Sequence, residues 1–122
     1  MVYLFIIFVW MYFMGEGVTE GFTWRDLTYI MSPDEYHIWR LVENLGVLGA
    51  VYCYGVLEHY HWIFYTLTIL SGLSVYEMAY NVTRYKKLLY NKTSKWFFIP
   101  HPPGWFWLAL FIISTAVLAV II

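Results

Sequence analysis

Residues 1–21 are MVYLFIIFVWMYFMGEGVTEG, an apolar run that ends in two glutamates set among glycines. A helix needs about 20 residues, at about 1.5 Å each, to cross the hydrocarbon core of a bilayer. The apolar part, Met1–Met14, is too short for that, so a crossing helix has to continue toward Glu20 and include Glu16. A carboxylate in hydrocarbon is costly, and such residues usually pair, line water or serve a function. The run therefore predicts a membrane helix with a polar site near its end.

Three more apolar segments follow, and local signals mark where their helices begin. Ser32-Pro33-Asp34-Glu35 is a capping box with proline in the first turn, which starts the second helix. Pro103 starts the fourth helix, which contains no ionisable residue. A weaker capping box at Thr23–Asp26 can start a short interfacial helix between the first two spans. We predict spans at about residues 1–20, 33–57, 62–83 and 103–122.

These segments predict an all-α fold, a four-helix transmembrane bundle in which residues 1–122 form a single domain of a polytopic integral membrane protein. The composition agrees, since 61% of the residues are hydrophobic, 23% aromatic and only 12% charged. Ordinary soluble domains carry about 25% charged residues. The net charge of −1 provides no field that would attract nucleic acid. The expected partners are the lipid bilayer and either further copies of the chain or a larger membrane complex.

Lysine and arginine residues predict the orientation in the membrane. The connection after the third helix carries five basic residues, and the connection after the first adds Arg25. The opposite side of the bundle has the two termini and the Glu58–His61 turn, with no lysine or arginine. The positive-inside rule then makes residues 21–32 and 84–102 cytoplasmic and both termini non-cytoplasmic. The basic connection is also expected to contact anionic lipid.

The polar residues of the first three helices are predicted to meet in one site in the cytoplasmic leaflet. The Glu58–His61 turn is so short that the second and third helices should form a tight antiparallel hairpin, with Glu43 facing Glu77 and Arg40 facing Tyr80. In each helix the polar residues recur three, four or seven positions apart and so share one face, which should point inward. The candidate ligand- or ion-binding residues are Glu16, Glu20, His37, Arg40, Glu43, Glu77 and Arg84.

The glycines around Glu16 and Glu20 allow two interpretations. Gly15, Gly17 and Gly21 let a backbone approach closely or unwind. A helix broken at these glycines would expose backbone groups to an ion, as in several transporters. Alternatively, the helix simply frays at its carboxyl end.

The charges of the predicted site leave four roles open. Four glutamates face up to three arginines and one histidine, so the site is close to neutral, as a structural ion-pair network would be. The second role is a path for a cation or proton, and the third is a pocket for an anionic headgroup or small ligand on Arg40 and His37. The fourth is a bound divalent metal, since carboxylates with one histidine suit such ions. Its candidate ligands are Glu43, Glu77 and His37.

The leading hypothesis is a small integral membrane protein that binds or conducts a cation, proton or small ligand at this cluster. Because so short a chain can hardly enclose a path alone, it should act as an oligomer. One alternative is a structural accessory subunit of a larger membrane complex. A metal-dependent membrane enzyme is the least favoured class. The sequence has no Ser/His/Asp set at a usable spacing and no glycine-rich phosphate-binding loop. No catalytic residue is predicted.

Overall fold

The computed structural model describes residues 1–23, 33–57, 60–92, 95–96 and 99–122. Within these ranges there are four α-helices and one minimal antiparallel hairpin, in which Lys95 lies opposite Pro100. The helices begin and end within three residues of the predicted bounds. This confirms the all-α prediction. The elements are α1 (Val2–Thr23), α2 (Pro33–Val56), α3 (Trp62–Tyr85), β1 (Lys95–Trp96), β2 (Ile99–Pro100) and α4 (Gly104–Ile121).

Several predictions on the connections fall outside the described residues. They concern the interfacial helix, the Ser32 cap, Arg25 and the residues Glu58 and His59. Of the predicted turn, His61 is described. It caps α3, because its Nδ1 accepts a hydrogen bond from the Ile63 N–H at 3.2 Å. This contact satisfies one of the free N–H groups at the start of the helix.

Two of the described helices are long and apolar enough to cross a membrane, α1 over Val2–Gly21 and α4 over Gly104–Ile121. The α4 stretch is only 17% buried within the molecule. Most of its leucine, isoleucine and valine surface is therefore available to lipid or to another protein. The ionisable residues of α2 and α3 make these helices less apolar.

The order of the helices differs from the predicted hairpin. Helix α1 lies between α2 and α3, and α4 packs on α3. Among the described residues, no Cα atom of α2 comes within 8 Å of one in α3. Near the short connection the Tyr54 and Tyr65 rings still touch, with centroids 5.3 Å apart. The prediction that α2 packs directly along α3 is therefore wrong. In the part of the chain described, the two helices meet only near their short connection, and elsewhere α1 lies between them.

Glycines explain how α1 can lie so close to both neighbours. A Cβ atom added to Gly46 of α2 would lie 2.5 Å from the Tyr12 backbone nitrogen. One added to Gly17 of α1 would lie 2.5 Å from the Tyr76 backbone oxygen. Small residues at such crossings are typical of membrane helices, where close van der Waals packing replaces the hydrophobic driving force. The glycine-rich end of α1 is continuous helix, so neither a break nor fraying occurs before Thr23.

The two ends of the bundle differ in polarity. Near the amino end of α1, the buried cluster is apolar and joins α1 to the other three helices, with members Phe5, Ile6, Val9, Cys53, Phe64 and Leu118. Farther along α3, Thr68, Ser71 and Ser74 are fully buried. Each of their hydroxyls donates to a carbonyl of α3 itself, at 2.7–3.0 Å. The buried face of α3 thus becomes polar on the way to Glu77.

Candidate functional site

Two carboxylates share one guanidinium between α1 and α2, and we call Glu16, Arg40 and Glu43 the Glu16 cluster. Arg40 Nη1 lies 2.7 Å from Glu43 Oε2 and 3.5 Å from Glu16 Oε2. The Glu43 side chain is 12% exposed and that of Glu16 25%. Arg40 and Glu43 are three residues apart on one helix face, and Gly15 lets α1 bring Glu16 against that face.

Glu20 connects the same end of α1 to α3. It lies one turn beyond Glu16, and its carboxylate accepts a hydrogen bond from the Tyr76 hydroxyl. Tyr76 precedes Glu77 in sequence, so this contact joins the carboxyl end of α1, next to the Glu16 cluster, to the polar end of α3. No feature of the sequence identified Tyr76, because a tyrosine in an aromatic-rich helix is unremarkable before its neighbour is known.

Glu77 has a partner from outside the predicted site. Lys92 Nζ lies 2.7 Å from Glu77 Oε2, and the two side chains are 14% and 7% exposed. The same ammonium lies 4.4 Å from the centroid of the Tyr80 ring. Asn81, one turn after Glu77, is 1% exposed, and its Oδ1 has no hydrogen-bond partner among the described residues. We call Glu77, Tyr80, Asn81 and Lys92 the Lys92 site.

Arg84 and His37 are the remaining two residues of the predicted site. Arg84 donates to the Tyr80 hydroxyl, and its guanidinium lies 5.1 Å from the centroid of the Tyr85 ring. Its contacts are thus with tyrosines and not with the glutamates expected from the sequence. His37 is exposed on α2, one turn before Arg40.

The single predicted site is therefore divided between the two faces of α1. Glu43 belongs to the α2 face with Glu16 and Arg40, whereas Glu77 belongs to α3 and pairs with Lys92. The predicted pairing of Arg40 with Tyr80 fails for the same reason, since α1 separates α2 from α3. In the described part of the chain, no three histidine, cysteine, aspartate or glutamate side chains form a group that could hold a metal ion. Glu43, Glu77 and His37 are thus not brought together.

The two clusters differ in charge. Glu77 and Lys92 form one pair, whose formal charges cancel. In the described part of the chain, the Glu16 cluster has two carboxylates and one guanidinium, which is one more formal negative than positive charge. Two carboxylates held at one guanidinium favour uptake of a further positive species, either a proton or a cation. The Glu16 cluster is therefore the better candidate for binding.

Comparison of the chain with protein-family models, with curated proteins and with solved structures gives no match.

Proposed function

We propose that this chain is a small integral membrane protein that binds or conducts a cation or proton at the Glu16 cluster. The observation that carries the proposal is the shared guanidinium: Glu16 and Glu43 both lie against Arg40 at the packed crossing of α1 and α2. A purely structural network would gain most from balanced charges, because a buried excess charge is costly. An excess negative charge at partly exposed carboxylates supports binding of a positive ion.

The membrane arrangement is part of this proposal. All four helices cross the bilayer, with both termini non-cytoplasmic and the connections at 21–32 and 84–102 cytoplasmic. Helices α1 and α4 have the length and composition to cross. Helices α2 and α3 each have 24 residues, about 36 Å at 1.5 Å per residue, which exceeds the hydrocarbon thickness. Glu43 of α2 and Glu77 of α3 pair with Arg40 and Lys92 and are 12% and 7% exposed, so these two glutamates need not face lipid.

The outer face of α2 supports an oligomer made of copies of this chain. Asn44 is exposed there between Leu41 and Leu48, which are 57% and 68% exposed. An amide facing hydrocarbon needs a partner, and asparagine pairs across membrane helices. Because an amide both donates and accepts, the Asn44 of a second copy satisfies it in a twofold arrangement. A homo-oligomer through α2 would also enlarge the surface around the Glu16 cluster.

The decisive experiment replaces Glu16 by glutamine, which keeps the volume and removes the charge. We expect Glu16→Gln to insert and assemble normally but to lose cation- or proton-dependent flux in liposomes. It should also lose the rise in melting temperature that a bound cation gives the folded state. Glu35→Gln, an equal change at an exposed acid of α2, is the matched control and should retain both properties.

The accessory-subunit alternative predicts a different outcome. If the Glu16 cluster only locks the helices together, Glu16→Gln should lower the yield of assembled protein. The wild-type melting temperature would then not change with pH or with the concentration of monovalent or divalent cations. That combined result would contradict the proposed function.

A further inference from the structure

The Lys92 site has the chemistry of a binding site for a small ammonium ion. Glu77 supplies a buried carboxylate, 2.7 Å from the Lys92 ammonium. Tyr80 supplies a ring face, with its centroid 4.4 Å from the same nitrogen. A carboxylate with an aromatic face is a favourable environment for ammonium groups, through ion pairing and the cation–π interaction.

Asn81 shows that Lys92 does not use the whole site. The Asn81 side chain is on the same face of α3 as Glu77 and is 1% exposed, yet its Oδ1 accepts no hydrogen bond from any described residue. Burying an amide oxygen without a hydrogen-bond partner is unfavourable, because the oxygen loses its hydrogen bonds to water. An ammonium group has three N–H donors. The Lys92 ammonium, which is tethered to the backbone, pairs with Glu77, whereas Asn81 Oδ1 has no donor among the described residues.

The segment that carries Lys92 is held in place by contacts that do not involve Lys92. Lys86 ends α3 in the left-handed conformation, with φ 57°, and its N–H bonds to the Val82 carbonyl, which turns the chain back. The Tyr85 and Tyr90 rings stack with centroids 3.7 Å apart. Asn91 Oδ1 then accepts a hydrogen bond from the Gly104 N–H at the start of α4, at 2.7 Å. Removing the Lys92 side chain should therefore leave the surrounding walls in place.

We propose that Glu77, Tyr80 and Asn81 form a binding site for a small primary ammonium ion, which the chain's own Lys92 occupies as a tethered ligand. A free ion of this class replaces the Lys92 ammonium at Glu77 and also donates to Asn81 Oδ1. Occupation from solution requires the Lys92 side chain to leave Glu77, so binding is coupled to a rotation of that side chain away from the site. This inference is independent of the proposed function, because the site uses no residue of the Glu16 cluster.

The experiment removes the tethered ligand and supplies a free one. Lys92→Ala should unfold at a lower temperature than the wild type, and methylammonium chloride should restore its melting temperature in a saturable way. Lys87→Ala, the loss of an exposed lysine from the same segment, should show no saturable response. The double variant Lys92→Ala/Glu77→Gln should lose the response as well. Potassium chloride and tetramethylammonium chloride at equal ionic strength should not reproduce it.

Three results would overturn the proposal. They are the absence of a saturable response in Lys92→Ala, an equal response in the double variant, and an equal response to potassium.

A second measurement covers the case in which Lys92→Ala does not fold. In the wild-type chain, the Lys92 Cε NMR signal should differ from that of Lys87 and move toward it as methylammonium is added. A Lys92 signal that does not move would likewise contradict the site.

Discussion

At the scale of single residues, the most informative feature is that the four glutamates of the two clusters and of the α1–α3 contact have three kinds of partner. Glu43 and Glu16 share Arg40, Glu20 accepts from Tyr76, and Glu77 pairs with Lys92. A guanidinium can serve two carboxylates because its donors are spread over a planar fork. A lysine ammonium is a point charge and suits one carboxylate beside an aromatic ring. These differences separate the two clusters chemically as well as in space.

Loss of Arg40 should destabilise the chain by leaving two carboxylates near each other without their shared cation. Because the Arg40 side chain is 39% exposed, we expect about 1–2 kcal/mol, between the values for surface and buried pairs. Thermal unfolding in detergent should show Arg40→Gln with a lower melting temperature than the wild type. The double variant Arg40→Gln/Glu43→Gln should recover part of the loss, because it removes one of the unpaired charges. Equal melting temperatures for Arg40→Gln and the control Lys87→Gln would place Arg40 outside the cluster.

At the scale of elements, α1 is the central helix because it can approach both α2 and α3. The approach to α2 depends on glycine at position 46, where the α1 backbone occupies the space of a side chain. The approach to α3 depends in the same way on Gly17. Close backbone contact brings Glu16 against Arg40, so the packing and the charge cluster depend on each other.

Gly46→Ala should force α1 and α2 apart. The added methyl would lie 2.5 Å from the Tyr12 backbone nitrogen, and we expect a loss of about 1–3 kcal/mol, the usual cost of overpacking. The same helix offers a matched control in Gly55, where an added Cβ has no atom within 4 Å. Gly55→Ala should be neutral or slightly stabilising, because alanine favours helix over glycine. Melting temperatures of the two variants compared with the wild type test this, and equal effects would contradict the packing argument.

At the scale of the whole molecule, the helix order α2, α1, α3, α4 leaves α2 at one edge. Between Leu41 and Val51 its exposed residues are apolar except for Asn44. Helix α4, at the other edge, is also largely exposed over its apolar stretch. An isolated chain of this kind would present much hydrophobic surface to water, and exposed apolar surface of this extent is typical of contact with lipid or with another protein.

If a second copy covers α2, Asn44→Leu should weaken the oligomer. A hydrogen bond between membrane helices contributes about 1 kcal/mol, so we expect a roughly fivefold weaker association. Light scattering of the purified protein over a range of detergent dilutions measures this. Thr66→Leu, a similar change at an exposed position of α3, is the control and should associate like the wild type. A chain that is monomeric at every dilution would contradict the oligomer and favour a role as a subunit of another complex.

The sequence by itself determined the four helices, because helix formation depends on local chemistry. Apolar runs of sufficient length, the proline at position 33 and the proline before Gly104 predicted all four helices within three residues. The sequence also identified Glu16, Arg40 and Glu43 as polar residues that need partners in an apolar helix, and the structure brings these three together.

The tertiary structure alone decided which helices are neighbours. A short turn indicates that α2 and α3 are joined, but it cannot show that α1 lies between them, since that depends on how the glycine-lined surfaces pack. For the same reason the partner of Glu77 could not be predicted. Lys92 is distant from Glu77 in sequence, and nothing in the sequence distinguishes it from the other lysines of the basic connection. The reversal of the chain at Lys86 brings it to Glu77. Composition and spacing determine which residues need partners, whereas the packing of whole surfaces determines which partners they find.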